Sequence, residues 1–87
     1  MDRDQVSRAV LATAVALLEI DETGLGRDTL FADLGVDSLA LVEYALALED
    51  VFDVEIPEEE VAELTTVGLL VDALLTKTAV RSAGLQA

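Results

Sequence analysis

The chain has 87 residues, no cysteine and a formal net charge of −13; it is long enough for one small domain near the lower limit for a self-sufficient core, with no disulfide to help, as expected of a reducing cytoplasm. An acidic balance of this size excludes nucleic-acid binding, which needs the opposite sign. No apolar run approaches the roughly 18 residues of a membrane span, and Asp2 and Asp4 stand where a signal peptide wants only positive charge.

Apolar residues make up 53% of the chain and aromatics 3%, so the core is expected to be built from Leu, Val and Ala. From about Asp4 to Leu18, Val6, Val10, Thr13 and Leu17 recur at three- and four-residue spacing among abundant alanine, which predicts a first helix with that stripe inward. From Glu19 to Val36 the periodicity lapses. Gly24, Gly26 and Gly35 punctuate a long loop there, and Leu25, Leu30, Phe31 and Leu34 can fold back onto the core. A second helix is expected from Ser38 to about Phe52, with Asp37 as its N-cap. Pro57 suits the first position of a short third helix, whose positive end Glu58, Glu59 and Glu60 complement. Thr65 or Thr66 can cap a fourth helix that continues through Leu69, Leu70, Ala73 and Leu74, in which Gly68 costs roughly 1 kcal/mol relative to alanine. Past Thr76 the pattern is lost, so the expected domain is 1–76 and residues 77–87 are expected to form a flexible tail. The fold class is all-α: a small bundle of three main helices plus one short helix, monomeric.

Ser38 falls at the exposed start of the second helix in a chain without histidine or cysteine. A serine with no histidine has no ordinary general base to make it a nucleophile. It reads instead as a serine acted upon by another enzyme, and the first turn of a helix, with unpaired N–H groups and the positive dipole end, suits a phosphate ester. Other chemistries fail. Asp21, Glu22 and Asp28 do not meet the calcium-loop pattern, no zinc set exists without His or Cys, and nothing marks two carboxylates as a buried acid–base pair. By itself the chain is not expected to be an enzyme.

The string Asp33-Leu34-Gly35-Val36-Asp37-Ser38-Leu39 resembles the attachment motif of acyl carrier proteins, Asp-Ser-Leu after a Leu-Gly turn. Val42-Glu43, Ala47-Leu48-Glu49-Asp50, Phe52, Glu55-Ile56-Pro57 and Leu64-Thr65-Thr66-Val67 follow at the family's spacing, so the resemblance runs from about Leu30 to about Leu75. It implies a covalent 4′-phosphopantetheine on Ser38 Oγ, donated from coenzyme A by a phosphopantetheinyl transferase. The arm's terminal thiol would carry acyl groups as thioesters. Asp37 would cap the helix or help the transferase engage the serine. A flexible tether raises the effective concentration of the cargo at each partner's active site.

At about 100° per residue from Ser38, Leu41, Tyr44, Ala45, Leu48 and Phe52 share one arc of the second helix, the expected core stripe. Leu39, Val42 and Leu46 lie on the opposite side with Glu43, Glu49 and Asp50, and together read as a docking strip in which acids steer and apolar groups adhere. Between Asp28 and Thr76 there is no Lys or Arg, which suits an acyl-loading enzyme, ketosynthase or acyltransferase with a basic docking patch. Ala40 stands where many fatty-acid carriers place an acid, and residue usage hints at a GC-rich bacterial genome. A freestanding carrier of polyketide or related specialised biosynthesis is therefore the first reading. A freestanding aminoacyl or peptidyl carrier is the second, although Val36 replaces a glycine frequent in those. An acidic helical adaptor without a prosthetic group is the reading from another class.

Overall fold

The computed structural model describes residues 2–21 and 23–86, with residues 81–86 described by their backbone alone. The elements are α1 (Arg3–Leu18), a 3₁₀ turn (Phe31–Leu34), α2 (Ser38–Phe52), α3 (Glu58–Val61) and α4 (Val67–Gln86). α1 packs against α2 and α4, and the short α3 packs against α2. No strand forms among the described residues beyond one isolated antiparallel bridge, Leu30 with Thr66. No described helix is long and apolar enough to cross a membrane.

α1 opens with a capping box. Asp2 Oδ1 accepts the Gln5 N–H at 2.9 Å and Gln5 Oε1 accepts the Asp2 N–H at 3.1 Å, which satisfies two donors that the first turn leaves over. Its buried row is Val6, Val10 and Ala14, which corrects half of the expected stripe. Thr13 is half-buried and Leu17 exposed. The row advances in steps of four, and the small Ala14 fills a place that a leucine side chain was expected to occupy one turn later.

The core is aliphatic as the composition required, and all three aromatic side chains join it: Phe31, Tyr44 and Phe52 are buried. Tyr44 lies across the α1–α2 interface and its OH donates to Val10 O at 2.7 Å, so no side-chain polar atom is stranded inside among the described residues. Burial pushes the phenol's pKa upward, since a phenolate there would lose its hydration. The edge of the Phe31 ring meets Tyr44 with centroids 5.9 Å apart and planes at 66°, a favoured aromatic geometry.

Pro57 is the N-cap of α3 and not its first helical residue, a shift of one position. Thr66 caps α4, its Oγ1 accepting the Leu69 N–H at 3.1 Å. α4 does not stop near Thr76. It runs through Lys77 to Gln86, so the expected break at residue 77 is not a break in the helix. Thr78 is buried one turn beyond Leu74, its Oγ1 returning a bond to Leu75 O at 3.1 Å, and Lys77 Nζ reaches Glu60 on α3 at 2.9 Å. The burial of Thr78 and the Lys77–Glu60 pair are tertiary contacts past the point where the helix's apolar periodicity fades.

Asp72 on α4 accepts from Arg27 and from Arg3, each at 2.8 Å. The hydrogen bonds from Arg27 and then Arg3 hold its carboxyl down to about 2. A carboxyl whose folded pKa lies below its unfolded value of about 3.9 contributes stability above that value and loses it as pH falls toward the folded pKa. Asp72→Asn is therefore expected to lower the melting temperature at neutral pH, with the gap to the parent closing between pH of about 4 and about 2. Paired thermal melts across that window check it. A gap unchanged at pH 2 would mean that the charge of Asp72 is not what stabilises.

Candidate functional site

The residues ahead of α2 are arranged by backbone geometry more than by side chains. The 3₁₀ turn ends at Gly35, whose φ of 78° lies in the left-handed region that glycine enters without the steric cost of a Cβ. The Gly35 N–H donates to Ala32 O at 3.1 Å and the Val36 N–H to Phe31 O at 3.2 Å, which closes the turn. Asp37 is extended, and its Oδ1 accepts the Ala40 N–H at 2.8 Å as an N-cap. Ser38 follows as the first residue of α2 and is exposed. The first regular helical bond runs from the Leu41 N–H to Asp37 O at 3.0 Å. The N–H groups of Ser38 and Leu39 precede it, in the first turn that carries the positive end of the helix dipole.

This arrangement fits an acceptor hydroxyl. Ser38 Oγ is not needed for capping, because Asp37 performs that task, and the helix start favours negative charge on whatever is esterified there. Beside it lies an open recess of about 370 Å³ between α2 and α3, lined by Ser38, Leu41, Val42, Glu58, Val61 and Ala62, with the exposed Leu39 at its rim. A larger open cavity of about 540 Å³, lined by Asp53, Val54, Lys77 and Val80 among others, lies at the other end of α2. Fifteen residues of helical rise, roughly 22 Å, separate Asp53 from Ser38, so that cavity has no part in the serine's chemistry. Among the described residues no group of three His, Cys, Asp or Glu side chains is placed to hold a metal ion.

The six residues expected to form a docking strip divide into two sets. Leu39 and Leu46 are 67% and 57% exposed, and Glu43 and Asp50 stand exposed beside them. Val42 and Glu49 do not share that open face. Val42 is half-buried against the core and lines the recess, and Glu49 Oε2 accepts the Ile56 N–H at 2.7 Å. The division follows the helix wheel: Val42 and Glu49 lie within about 40° of Ser38, on the edge that α3 covers, while the other four lie at roughly 80–140°. Sequence reasoning missed the contribution of Glu58, Val61 and Ala62 to the recess. The signal was the short link from Asp53 to Pro57, which obliges α3 to fold back on α2.

Residues 8–74 match the family model described as the phosphopantetheine attachment site. The fold resembles an acyl carrier protein from Thermotoga maritima, with a TM-score of 0.78 and 25% identity over 88% of this chain and 91% of that one. It also resembles the 3-oxo-butyl form of the acyl carrier protein from the actinorhodin polyketide synthase of Streptomyces coelicolor, with a TM-score of 0.67 and 33% identity over 91% of this chain and 92% of that one.

Proposed function

Since this chain belongs to the acyl carrier protein family, whose prosthetic group is 4′-phosphopantetheine, we propose that Ser38 Oγ is the atom that carries it and that the cargo belongs to polyketide or related specialised biosynthesis. The observation that carries the assignment is an exposed serine at the first position of α2 whose capping duty is already met by Asp37. The bound group supplies a terminal thiol for acyl groups, which a chain without cysteine lacks. Asp37 holds the helix start in register, and the free first-turn N–H groups favour the phosphate charge.

The chain acts as a substrate of other enzymes and not as a catalyst. It has no histidine or cysteine, and its one tyrosine hydroxyl is buried and bonded to Val10 O, which leaves Ser38 without the ordinary general base of a nucleophilic serine. The likeness to the actinorhodin carrier supports polyketide over aminoacyl cargo. An adaptor with no prosthetic group would leave Ser38 unmodified. Incubation with coenzyme A and a broad-specificity phosphopantetheinyl transferase, followed by intact-mass measurement, is expected to show one arm added per chain. No gain would overturn the proposal. Mass spectrometry of the protein from its native host identifies the cargo.

Leu39, Glu43, Leu46 and Asp50 form the open face offered to the transferase and to a loading enzyme, ketosynthase or acyltransferase with a basic patch. Exposed charges act mainly on diffusional encounter and are screened beyond roughly 8–10 Å in physiological salt. Glu43→Lys is therefore expected to slow association with the transferase in stopped-flow binding while leaving dissociation nearly unchanged. The effect should shrink as salt is raised. An unaltered association rate at low salt would remove Glu43 from the encounter face.

A further inference from the structure

The loop that leads to Ser38 is fastened to the start of α4 by alternate residues. Arg27 O accepts the Gly68 N–H at 2.8 Å, Thr29 O accepts the Val67 N–H at 3.1 Å, and the Phe31 N–H donates to Thr65 O at 3.0 Å. These carbonyls take donors that the first turn of α4 would otherwise leave unpaired. The Arg27 side chain then crosses Gly68 to reach Asp72 one turn on, with Nη2 to Oδ2 at 2.8 Å and Nη1 to Oδ1 at 3.2 Å. Gly68 permits that crossing. A Cβ there would stand 2.9 Å from Arg27 O and 3.1 Å from Arg27 Cβ and Cζ, and the nearest atom is backbone that cannot swing aside.

From Phe31 the path to the serine is short. Phe31 is buried against Tyr44, its carbonyl accepts the Val36 N–H, and Asp37 follows as the cap of α2. The geometry points to Arg27, Gly68 and Asp72 as a latch that positions Ser38 for its modifying enzyme, although none of the three belongs to the α2 attachment site. The inference rests on the reading of Ser38 as the attachment atom. Alanine is the better helix former at position 68, so α4 alone would favour a side chain there, and glycine instead leaves room for the loop's approach. A loop of this length inside a compact domain is uncommon unless it has a task of its own. Here the task is to deliver the N-cap of α2 in one register.

A latch that opens reduces the fraction of molecules competent to bind, and the apparent dissociation constant rises by the inverse of that fraction. The bound, latched molecule reacts as before. The closing experiment uses the full apo chain, coenzyme A and a broad-specificity phosphopantetheinyl transferase, with carrier concentration varied and amide exchange followed in parallel. For Gly68→Ala and Asp72→Asn, KM for the carrier is expected to rise, about fivefold if the latch is closed in one molecule of five, with kcat unchanged. The Val67 and Gly68 amides should exchange faster while those in the middle of α1 and α2 remain protected. Arg27→Lys, which keeps the carbonyl and the pairing with Asp72, should recover most of the parental KM. Unchanged KM despite faster exchange would overturn the latch as a positioning device, and unchanged exchange would overturn it as a latch. If Gly68→Ala does not fold, Asp72→Asn decides together with Arg3→Gln, which removes only the α1 partner of Asp72 and is expected to keep the parental KM; a rise in KM with Arg3→Gln as large as with Asp72→Asn would overturn the latch. Failure of the parent chain to gain an arm, or gain by Ser38→Ala, would instead sink the reading of Ser38 itself.

Discussion

Ser38→Ala is expected to abolish the mass gain with coenzyme A and transferase while leaving the folded bundle unchanged. Serine does nothing for the fold at this position. The Ala40 N–H is already bonded to Asp37 Oδ1 at 2.8 Å, and Ser38 is exposed. Loss of a capping side chain costs about 1 kcal/mol, but the cap here is Asp37. Alanine is the stronger helix former, so the variant should match or slightly exceed the parent in melting temperature and show the same far-ultraviolet dichroism. A full gain of one arm by the variant would move the attachment to another hydroxyl. Unfolding of the variant would show that Ser38 has a structural role that its surroundings do not reveal.

Leu48→Ala is expected to be strongly destabilising, and Leu46→Ala among the mildest truncations on α2, although the two residues are neighbours but one. Leu48 is 0% exposed in the middle of the core and Leu46 is 57% exposed. Truncating a buried leucine removes its transfer energy and leaves a cavity, about 2–5 kcal/mol, against a total stability of about 5–15 kcal/mol for a domain. For a domain of this size each kcal/mol is worth roughly 4–8 °C, so Leu48→Ala should lower the melting temperature by about 8 °C or more. Leu46→Ala should move it little. Its effect should fall on dissociation from a bound transferase, because short-range packing sets that rate. Thermal melts and stopped-flow dissociation separate the two variants. A collapse of the fold in Leu46→Ala would mean that α2 is rotated from the orientation described.

α2 is where local sequence and tertiary structure agree most closely. Tyr44, Ala45, Leu48 and Phe52 are buried as their wheel positions required, with Leu41 half-buried at the margin. Asp37 caps the helix that its position announced. Agreement was good because an amphipathic helix with a polar cap is specified by residues within a few turns of one another. α1 was less legible. A helix rich in alanine offers several candidate rows, and which one turns inward depends on the surfaces of α2 and α4, hence Ala14 in place of Leu17. The open face and the covered edge of α2 were likewise indistinguishable until α3 was placed, and Val42 and Glu49, grouped with the exposed residues on the wheel alone, are half-buried for that reason.

What the sequence determined by itself was the all-α class, the bounds of α1 and α2, the cap of α2 and the serine that follows it. Each of these rests on interactions between residues close in the chain, whose chemistry is written in their side chains. What only the tertiary structure decided was the continuation of α4 beyond Thr76, the recess between α2 and α3, and the fastening of Arg27, Thr29 and Phe31 to the first turn of α4. Main-chain hydrogen bonds between distant segments use groups that every residue other than proline possesses, so they leave no mark in composition or periodicity. Gly68 shows the consequence. Read locally it is a weak point in a helix; in the folded chain it is where Arg27 passes close enough to bond the Gly68 N–H through its carbonyl and Asp72 through its side chain.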